Sequence, residues 1–514
     1  MKKLSRRDFM RRGCSGLAVL SVPFVFKADP LKAFANAPDA ALPLNDCYRM
    51  FGVDEALIRR IMAVALAKGG DYSDLYFQNH VFHYIGLEDN IVNQAYTGVD
   101  YGVGIRVLKG DQTGYSFTEE ITEKAMELAA QTAASIADSG RTLPPQELKL
   151  HPTPNYYSIR TSWEDVKPDR KVAFLPEINQ KVFSADKRVI KCRIACMDEW
   201  SHILIANSDG RIVTDYQPMT GMWASCTAEQ NGQKEEGFAM TSGRYGIEHY
   251  TPERIDRIAK EAVRRTVLLF EAVKPEAGEM EVVLAPGSSG ILLHEAIGHG
   301  MEADFNRKKI STFADKMGKP VAENFVNIVD DGTIPGLRGT INVDDEGNDT
   351  QKTVLVENGV LSSYLHDRIS ARFYGVKPTG NGRRQSFRFS PVPRMRNTYM
   401  PAGPHDPEEI IRSVKKGIYT EEFSNGQVSI GAGDFTFYVK TGYLIEDGRK
   451  TRPIKDVNVI GNGPEVLKRI TMVGNDLKFD DGLWTCGKDG QGAPNQMGLP
   501  TVKVSAITVG GVSG

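Results

Sequence analysis

Two histidines, His294 and His299, bracket a glutamate in the run Gly290-Ile291-Leu292-Leu293-His294-Glu295-Ala296-Ile297-Gly298-His299-Gly300. Neutral imidazole is a common zinc ligand. A carboxylate beside the first ligand, here Glu295, can take a proton from a metal-activated water. The chemistry these residue types suggest is hydrolysis at a metal. The spacing is one residue longer than His-Glu-x-x-His, which sets both rings on one helix face. Five α-helical steps rotate by about 500°, leaving the rings roughly 140° apart. A wider, π-like turn would bring them together, and Gly298 makes a distortion or a helix end cheaper there. On the motif alone, two packed histidines on a glycine-rich helix stay open as the alternative.

The elements that must position these residues read as follows. At 514 residues the chain needs more than one core. With 41% hydrophobic and 25% charged residues it is globular in composition, which disfavours disorder. A net charge of −2, a pI near 6.5 and no long basic run argue against a nucleic-acid partner. The 50 glycines fit a turn-rich β protein better than a helical bundle. In the first half, helical spacing covers 54–68, 119–137 and 251–272, the last with Thr251 as N-cap and Pro252 at the first position. A further helical region spans 163–185, where Pro168 and Pro176 are expected to divide it. Strands are expected within 73–109 and over 189–196 and 201–206, with a hairpin turn at 207–210. Composition shifts near 273–280. Beyond it, short strands are expected at 282–284, 353–356, 435–439, 457–460 and 502–504, with one helix at 406–416. The fold class is α+β: an N-terminal α+β domain over 45–275, then a glycine-rich, mainly antiparallel β domain over 276–514 that carries the histidine segment.

Several islands occur in one order along the chain: Asp74-Leu75-Tyr76-Phe77, Gly102-Val103-Gly104-Ile105-Arg106, the histidine segment followed by Asp304-Phe305-Asn306-Arg307, Val329-Asp330-Asp331-Gly332-Thr333 and Asp344-Asp345-Glu346-Gly347. Thr379-Gly380-Asn381-Gly382-Arg383-Arg384, Pro393-Arg394-Met395, Asn397-Thr398-Tyr399-Met400, Met472-Val473-Gly474-Asn475-Asp476-Leu477 and Cys486-Gly487-Lys488-Asp489-Gly490-Gln491 complete the series. In these the chain resembles the TldD/PmbA family of zinc metallopeptidases, in its TldD-like, metal-bearing branch. The resemblance implies one Zn2+ per chain, held by His294, His299 and Cys486, with Glu295 as catalytic base. It implies unfolded or small extended peptides as substrates, lying as an added strand. It also implies a homodimer, or a heterodimer with a metal-free relative. Independently of the family, Cys486 belongs to an odd set of five cysteines left after Cys14 and sits in a glycine-rich loop, with Lys488 near enough to favour a thiolate; a surface thiol is the alternative. Arg383, Arg384, Arg394 and Tyr399 are candidates for substrate or oxyanion contacts, with a structural role as the alternative. Asp344, Asp345 and Glu346 are candidates to hold the histidines from behind, or to cap a hairpin turn.

The first residues, Met1-Lys2-Lys3-Leu4-Ser5-Arg6-Arg7-Asp8-Phe9-Met10, precede a modest apolar run, so 1–37 reads as a twin-arginine signal and the chain as exported to the bacterial periplasm. That run is too short and too interrupted for a stable membrane anchor. Cys192 and Cys196 read as buried thiols or a disulfide, and the other seven histidines show no ligand spacing. Two other functions fit the same residues: a non-catalytic peptide-binding or regulatory protein, since the family has carried a label as modulators of DNA gyrase, and a metal-dependent amide or ester hydrolase.

Overall fold

The computed structural model describes residues 41–137, 144–157, 159–482 and 484–511. Long, alternating strands make the first sheet. Tyr72–Glu88, Ile91–Lys109, Val189–Asn207 and Arg211–Gln230 are antiparallel neighbours, with Gln112–Thr118 at one edge and Gln233–Gly243 on Arg211–Gln230. Period-2 alternation gives this sheet two different faces. Leu75, Phe77, Ile85 and Leu87 point to one side. There, helices Leu44–Phe51, Glu55–Leu66 and Glu123–Ala134 cover one end, and Phe174–Ala185 and Pro252–Val267 cover the other. Tyr76, Ile203, Ile205 and Val213 point the other way and pack on Val343 and Phe387 of the second half.

Helix starts follow capping chemistry. Asp54 accepts from the Leu57 amide, Thr122 from Ala125 and Thr251 from Arg254, each satisfying an N–H that no helical carbonyl reaches. Ile58, Ile61, Met62, Ala65 and Leu66 are buried at helical spacing, which anchors their helix to the sheet. The region is divided as expected: Pro168 starts the short helix Pro168–Val172, and after a break at Ala173 Pro176 lies in the first turn of Phe174–Ala185, where it has no intrahelical N–H bond to lose. The two strands expected at 189–196 and 201–206 are one strand of 19 residues. The helix expected at 406–416 runs only over Pro407–Arg412.

In the second half, Lys416–Ser429, Gly278–Leu284, Val502–Gly511, Val457–Asn462 and Asp434–Glu446 pair in that order, and the first also pairs with the last. The five strands therefore close on themselves, which leaves no free edge among them. Val282, Leu284, Ile418, Phe423, Phe437, Val459 and Val504 share a core with Ile291, Leu292, Leu293, Ala296 and Ile297. A second sheet, centred on Ile328–Asp331 and Asn397–Tyr399, includes one parallel pair, Asn397–Tyr399 with Gln496–Leu499. The chain is α+β, with an α+β first half and a β-rich second half.

Candidate metal centre

The apolar run Ile291–Leu293 is a single helical turn, fully buried against the closed β-structure. The next five residues, His294–Gly298, form a π-helical turn in which the His299 amide donates to the His294 carbonyl, five residues back. The widened turn holds more residues than an α-helical one, so five steps rotate less and the two rings come back toward one side. The two imidazole rings lie with centroids 4.9 Å apart at 79°. Two glycines make room for this turn. A methyl group at Gly298 would stand 2.1 Å from Met395 Sδ, and one at Gly463 would stand 1.9 Å from the Ala296 carbonyl oxygen.

Cys486 arrives on a hairpin, Thr485–Lys488 with Gln491–Pro494. Asp489 (φ 51°) and Gly490 (φ 71°) form its two-residue turn, both in the left-handed region that this tight connection requires. The segment is thus a strand rather than the open loop expected from its glycines. Cys486 Sγ lies 3.2 Å from His299 Nε2. Donor atoms of His294, His299 and Cys486 all fall within 4.8 Å of one another, and all three residues are buried. A tetrahedral ion with metal–nitrogen bonds of ~2.0–2.1 Å and a metal–sulfur bond of ~2.3 Å would hold sulfur and nitrogen ~3.5 Å apart, so the observed separation is a few tenths of an ångström from a ligating one. Burial alone would push the Cys486 thiol up, but the charges of His294 and His299 and their hydrogen bonds outweigh it and hold the thiol well below its ordinary value. A buried thiolate between two imidazoles is a donor set suited to a soft or borderline divalent metal.

The carboxylate behind His299 is Glu302, one helical turn on, which the sequence reading missed. Its Oε2 accepts from His299 Nδ1 at 2.9 Å and from Lys488 Nζ at 3.0 Å. Lys488 also reaches Asp304 at 2.8 Å and the Pro393 carbonyl at 3.0 Å. Burial would raise the Glu302 carboxyl, but Lys488 and His299 bring it down to about 2. Burial would also lower His299, and Glu302 and Cys486 raise it well above its usual value. An Nδ1–H held by a carboxylate leaves Nε2 as the donor facing Cys486. On His294 the neighbour is the Asn495 amide, with Nδ2 2.9 Å from Nδ1 and a buried Oδ1 that has no partner. Half a turn of that amide would offer its oxygen to an Nδ1–H and leave Nε2 of His294 free for a cation.

Glu295 is partly exposed, with Oε2 3.9 Å from His299 Nε2. Its carboxylate is thus beside the three donors and in part exposed to solvent.

Other expected residues lie elsewhere. Asp344, Asp345 and Glu346 do not back the histidines. Asp344 accepts from the amides of Glu346, Asn348 and Gly382, Asp345 accepts from the Arg384 amide, and Glu346 accepts from Arg106 at 2.7 Å and from the Arg368 amide. They cap a turn and neutralise a buried arginine that bridges the two halves. Lys488 serves Glu302 and Asp304 rather than the thiol. Arg394 is fully buried and donates to the Cys486 and Gln491 carbonyls, which straps the hairpin. Tyr399 is buried in its sheet against Phe479. Arg384 is ion-paired with Asp74 and stacked over Tyr76. Arg383 donates to the Met395 and Pro494 carbonyls and lines a cavity beside the hairpin. Cys192, Cys196 and Cys226 are free, buried thiols on strands.

Three family models match the chain in order: PmbA/TldA metallopeptidase domain 1 over residues 73–137, the central domain over 161–270 and the C-terminal domain over 277–511. A protein called metalloprotease TldD homolog, from Buchnera aphidicola subsp. Acyrthosiphon pisum, is 40% identical over 451 residues, covering 86% of this chain and 93% of that one. A zinc metalloprotease TldD homolog from Saccharolobus solfataricus is 26% identical over 449 residues, covering 86% and 97%. Among solved structures, TldE from Thermococcus kodakarensis superposes with a TM-score of 0.70 at 20% identity, covering 89% of this chain and 99% of that one, a likeness of fold. One expectation is corrected. These matches support the terms hydrolase and metalloprotease and give none to a twin-arginine signal or a periplasmic site. Residues 1–37, where the signal was read, lie outside the described residues.

Proposed function

The chain belongs to the TldD/PmbA metallopeptidase family, and from that premise we propose that it is a zinc-dependent peptidase acting on small or unfolded, extended peptides. The observation that carries this reading is the convergence of His294, His299 and Cys486 on one point, with the Glu295 carboxylate beside it.

In this proposal His294, His299 and Cys486 hold one zinc ion per chain. Bound there, zinc supplies a Lewis acid and brings the pKa of a water to about 7. The protein's own residues do the rest. Glu295 accepts the proton of the attacking water and returns it to the leaving amine nitrogen. Glu302 keeps His299 in the tautomer that presents Nε2, and Lys488 keeps Glu302 charged. Arg394 fixes the Cys486 strand by its carbonyl, so the thiolate is positioned before metal binds. A dimer, of two copies or with a metal-free relative, accompanies this reading. Ile91, Tyr96 and Val99 stand exposed on the long hairpin and offer apolar surface for it.

The test uses purified protein and a mixed peptide library, followed by mass spectrometry, with and without chelator and with Glu295→Gln. The proposal expects cleavage that chelator abolishes and that the substitution lowers by about 10^2- to 10^4-fold with metal content unchanged. Cleavage that survives both treatments would overturn it. Sedimentation of the same sample reads the oligomeric state.

A further inference from the structure

The face of the first sheet turned away from the helices does not only pack on the second half. Tyr76, Gln78, His80 and Phe82, alternate residues of one strand, form one wall of a cavity of about 800 Å³. The opposite wall includes Thr485, Gly492 and Pro494, from the hairpin that carries Cys486. Thr485, Gly492 and Pro494 share one face of that hairpin and Cys486 and Ala493 the other, so the cavity and the candidate metal centre flank one two-stranded element.

Its charge is lopsided. Five arginines line it, Arg244, Arg338, Arg383, Arg384 and Arg388, against three carboxylates, Asp100, Glu199 and Asp345. Two of the five are neutralised within the protein: Arg384 pairs with Asp74, and Arg388 pairs with Asp100 and Glu119. The other three form no ion pair among the described residues. Arg383 bonds the Met395 and Pro494 carbonyls through Nη1 alone, at 2.9 and 2.6 Å. Arg244 bonds the Arg338 and Pro218 carbonyls through Nε and Nη1, both at 3.2 Å. Arg338 bonds Ser242 Oγ, the Gly482 carbonyl and Thr485 Oγ1, and its Nε has no partner. Arg244 and Arg383 are 3% and 4% exposed, so two of these cations are withdrawn from bulk water with no carboxylate in ion-pair contact, the Asp345 charge acting on Arg383 from farther off. Carbonyl oxygens offset part of that cost, but a buried guanidinium is best satisfied by a carboxylate, which matches its fork of donors. Burial, with the charges of Arg244, Arg394 and Arg396, brings the Arg383 guanidinium down to about 10, against the pull of Asp345.

We propose that this cavity is a carboxylate-recognition subsite, with Arg244, Arg338 and Arg383 as specificity-determining residues, so that the preferred peptides carry a carboxylate placed beside the Cys486 hairpin. The inference rests on the peptidase reading and narrows its substrate class to anionic peptides. The carboxylate has two sources, a free peptide C-terminus or an aspartate or glutamate side chain.

Binding rather than turnover tests it. Three fluorescent peptides of one length are titrated into the zinc-loaded Glu295→Gln protein: a free acid without acidic residues, its C-terminal amide, and an amide containing glutamates. The proposal expects the free acid, the glutamate peptide or both to bind about 10- to 100-fold more tightly than the neutral amide. Preference for the first alone assigns the C-terminus, and preference for the second alone assigns the side chain. Arg338→Gln, at the most exposed of the three arginines, is expected to shrink the preference to within about threefold, while Arg338→Lys keeps more of it. Equal affinity for all three peptides, or no binding at millimolar peptide, overturns the subsite. A preference unchanged by Arg338→Gln removes Arg338 from it and overturns the assignment. The wild-type protein is assayed in parallel. Cleavage without anionic preference overturns the subsite and leaves the peptidase reading standing, whereas anionic preference without cleavage does the reverse.

Discussion

Replacing Glu302 by glutamine should weaken metal binding without unfolding the protein. Glu302 is fully buried and accepts two hydrogen bonds, from His299 Nδ1 at 2.9 Å and from Lys488 Nζ at 3.0 Å. Glutamine keeps the shape and one acceptor oxygen but removes the charge. Lys488 still has Asp304 at 2.8 Å and the Pro393 carbonyl at 3.0 Å, so it stays paired. His299 has no such substitute. With a neutral amide behind it the ring is a poorer donor, and the amide N–H can turn to Nδ1 and favour the tautomer whose Nε2 carries the proton. Loss of such a partner lowers metal affinity by about 10- to 100-fold, or about 1.4–2.7 kcal/mol. Glu302→Ala goes further: it leaves the buried Lys488 with one anion, and breaking a buried ion pair costs about 3–5 kcal/mol of stability. Competition with a chromophoric chelator measures the first effect and urea unfolding the second. A Glu302→Gln protein that binds zinc as tightly as the wild type would refute the role given to this carboxylate.

Gly463→Ala should loosen the metal centre from outside it. Its methyl group would meet the Ala296 carbonyl at 1.9 Å, and a backbone atom cannot swing aside. The π-helical turn must shift, at a cost of ~1–3 kcal/mol, and chelator competition should show weaker zinc binding; unchanged affinity and melting temperature would contradict this. Asp215 gives a pH signature. Burial raises its carboxyl from 3.8 to about 6, although Asn342, Gln217 and Tyr157 donate to it. Below pH 3.8 it is neutral in both the folded and the unfolded chain. Between 3.8 and about 6 only the unfolded chain gives up the proton, so stability falls as pH rises through that window. The fall is roughly 3 kcal/mol in all and is complete above about pH 6. Asp215→Asn should flatten this part of the stability–pH curve, and parallel curves for the two proteins would contradict it.

What the sequence revealed follows the range of the interactions involved. The π-like turn was legible because a five-residue spacing has few ways to bring two imidazoles together, and all of that information lies within His294–His299. The hairpin under Cys486 was signalled by Asp489-Gly490, a two-residue turn pair, but the surrounding glycines made the segment read as open loop. The strand Val189–Asn207 reads from sequence as two, 189–196 and 201–206; Asp198, between them, is buried beneath Lys171 at 2.8 Å and beside His83 at 2.9 Å, and a paired charge need not end a strand. Glu302 could have been found, since it lies three residues after His299 on the same run. Its counter-ion Lys488 and the amide of Asn495 are brought to the histidines only by tertiary folding. Asp344, Asp345 and Glu346 had the residue types of metal-site partners, but local spacing carries no record of Arg106, which claims Glu346 across 240 positions of chain. The proposed carboxylate subsite was out of reach for the same reason, since Arg244, Arg338 and Arg383 come from three separate stretches of chain.

The central claim is that one zinc ion joins the two histidines to Cys486. X-ray absorption at the zinc edge of the loaded protein tests it most directly. The account predicts one sulfur ligand at ~2.3 Å and nitrogen ligands at ~2.0–2.1 Å, with the sulfur shell lost in Cys486→Ser. A wild-type spectrum made of nitrogen and oxygen neighbours alone, or one that Cys486→Ser leaves unchanged, would contradict it.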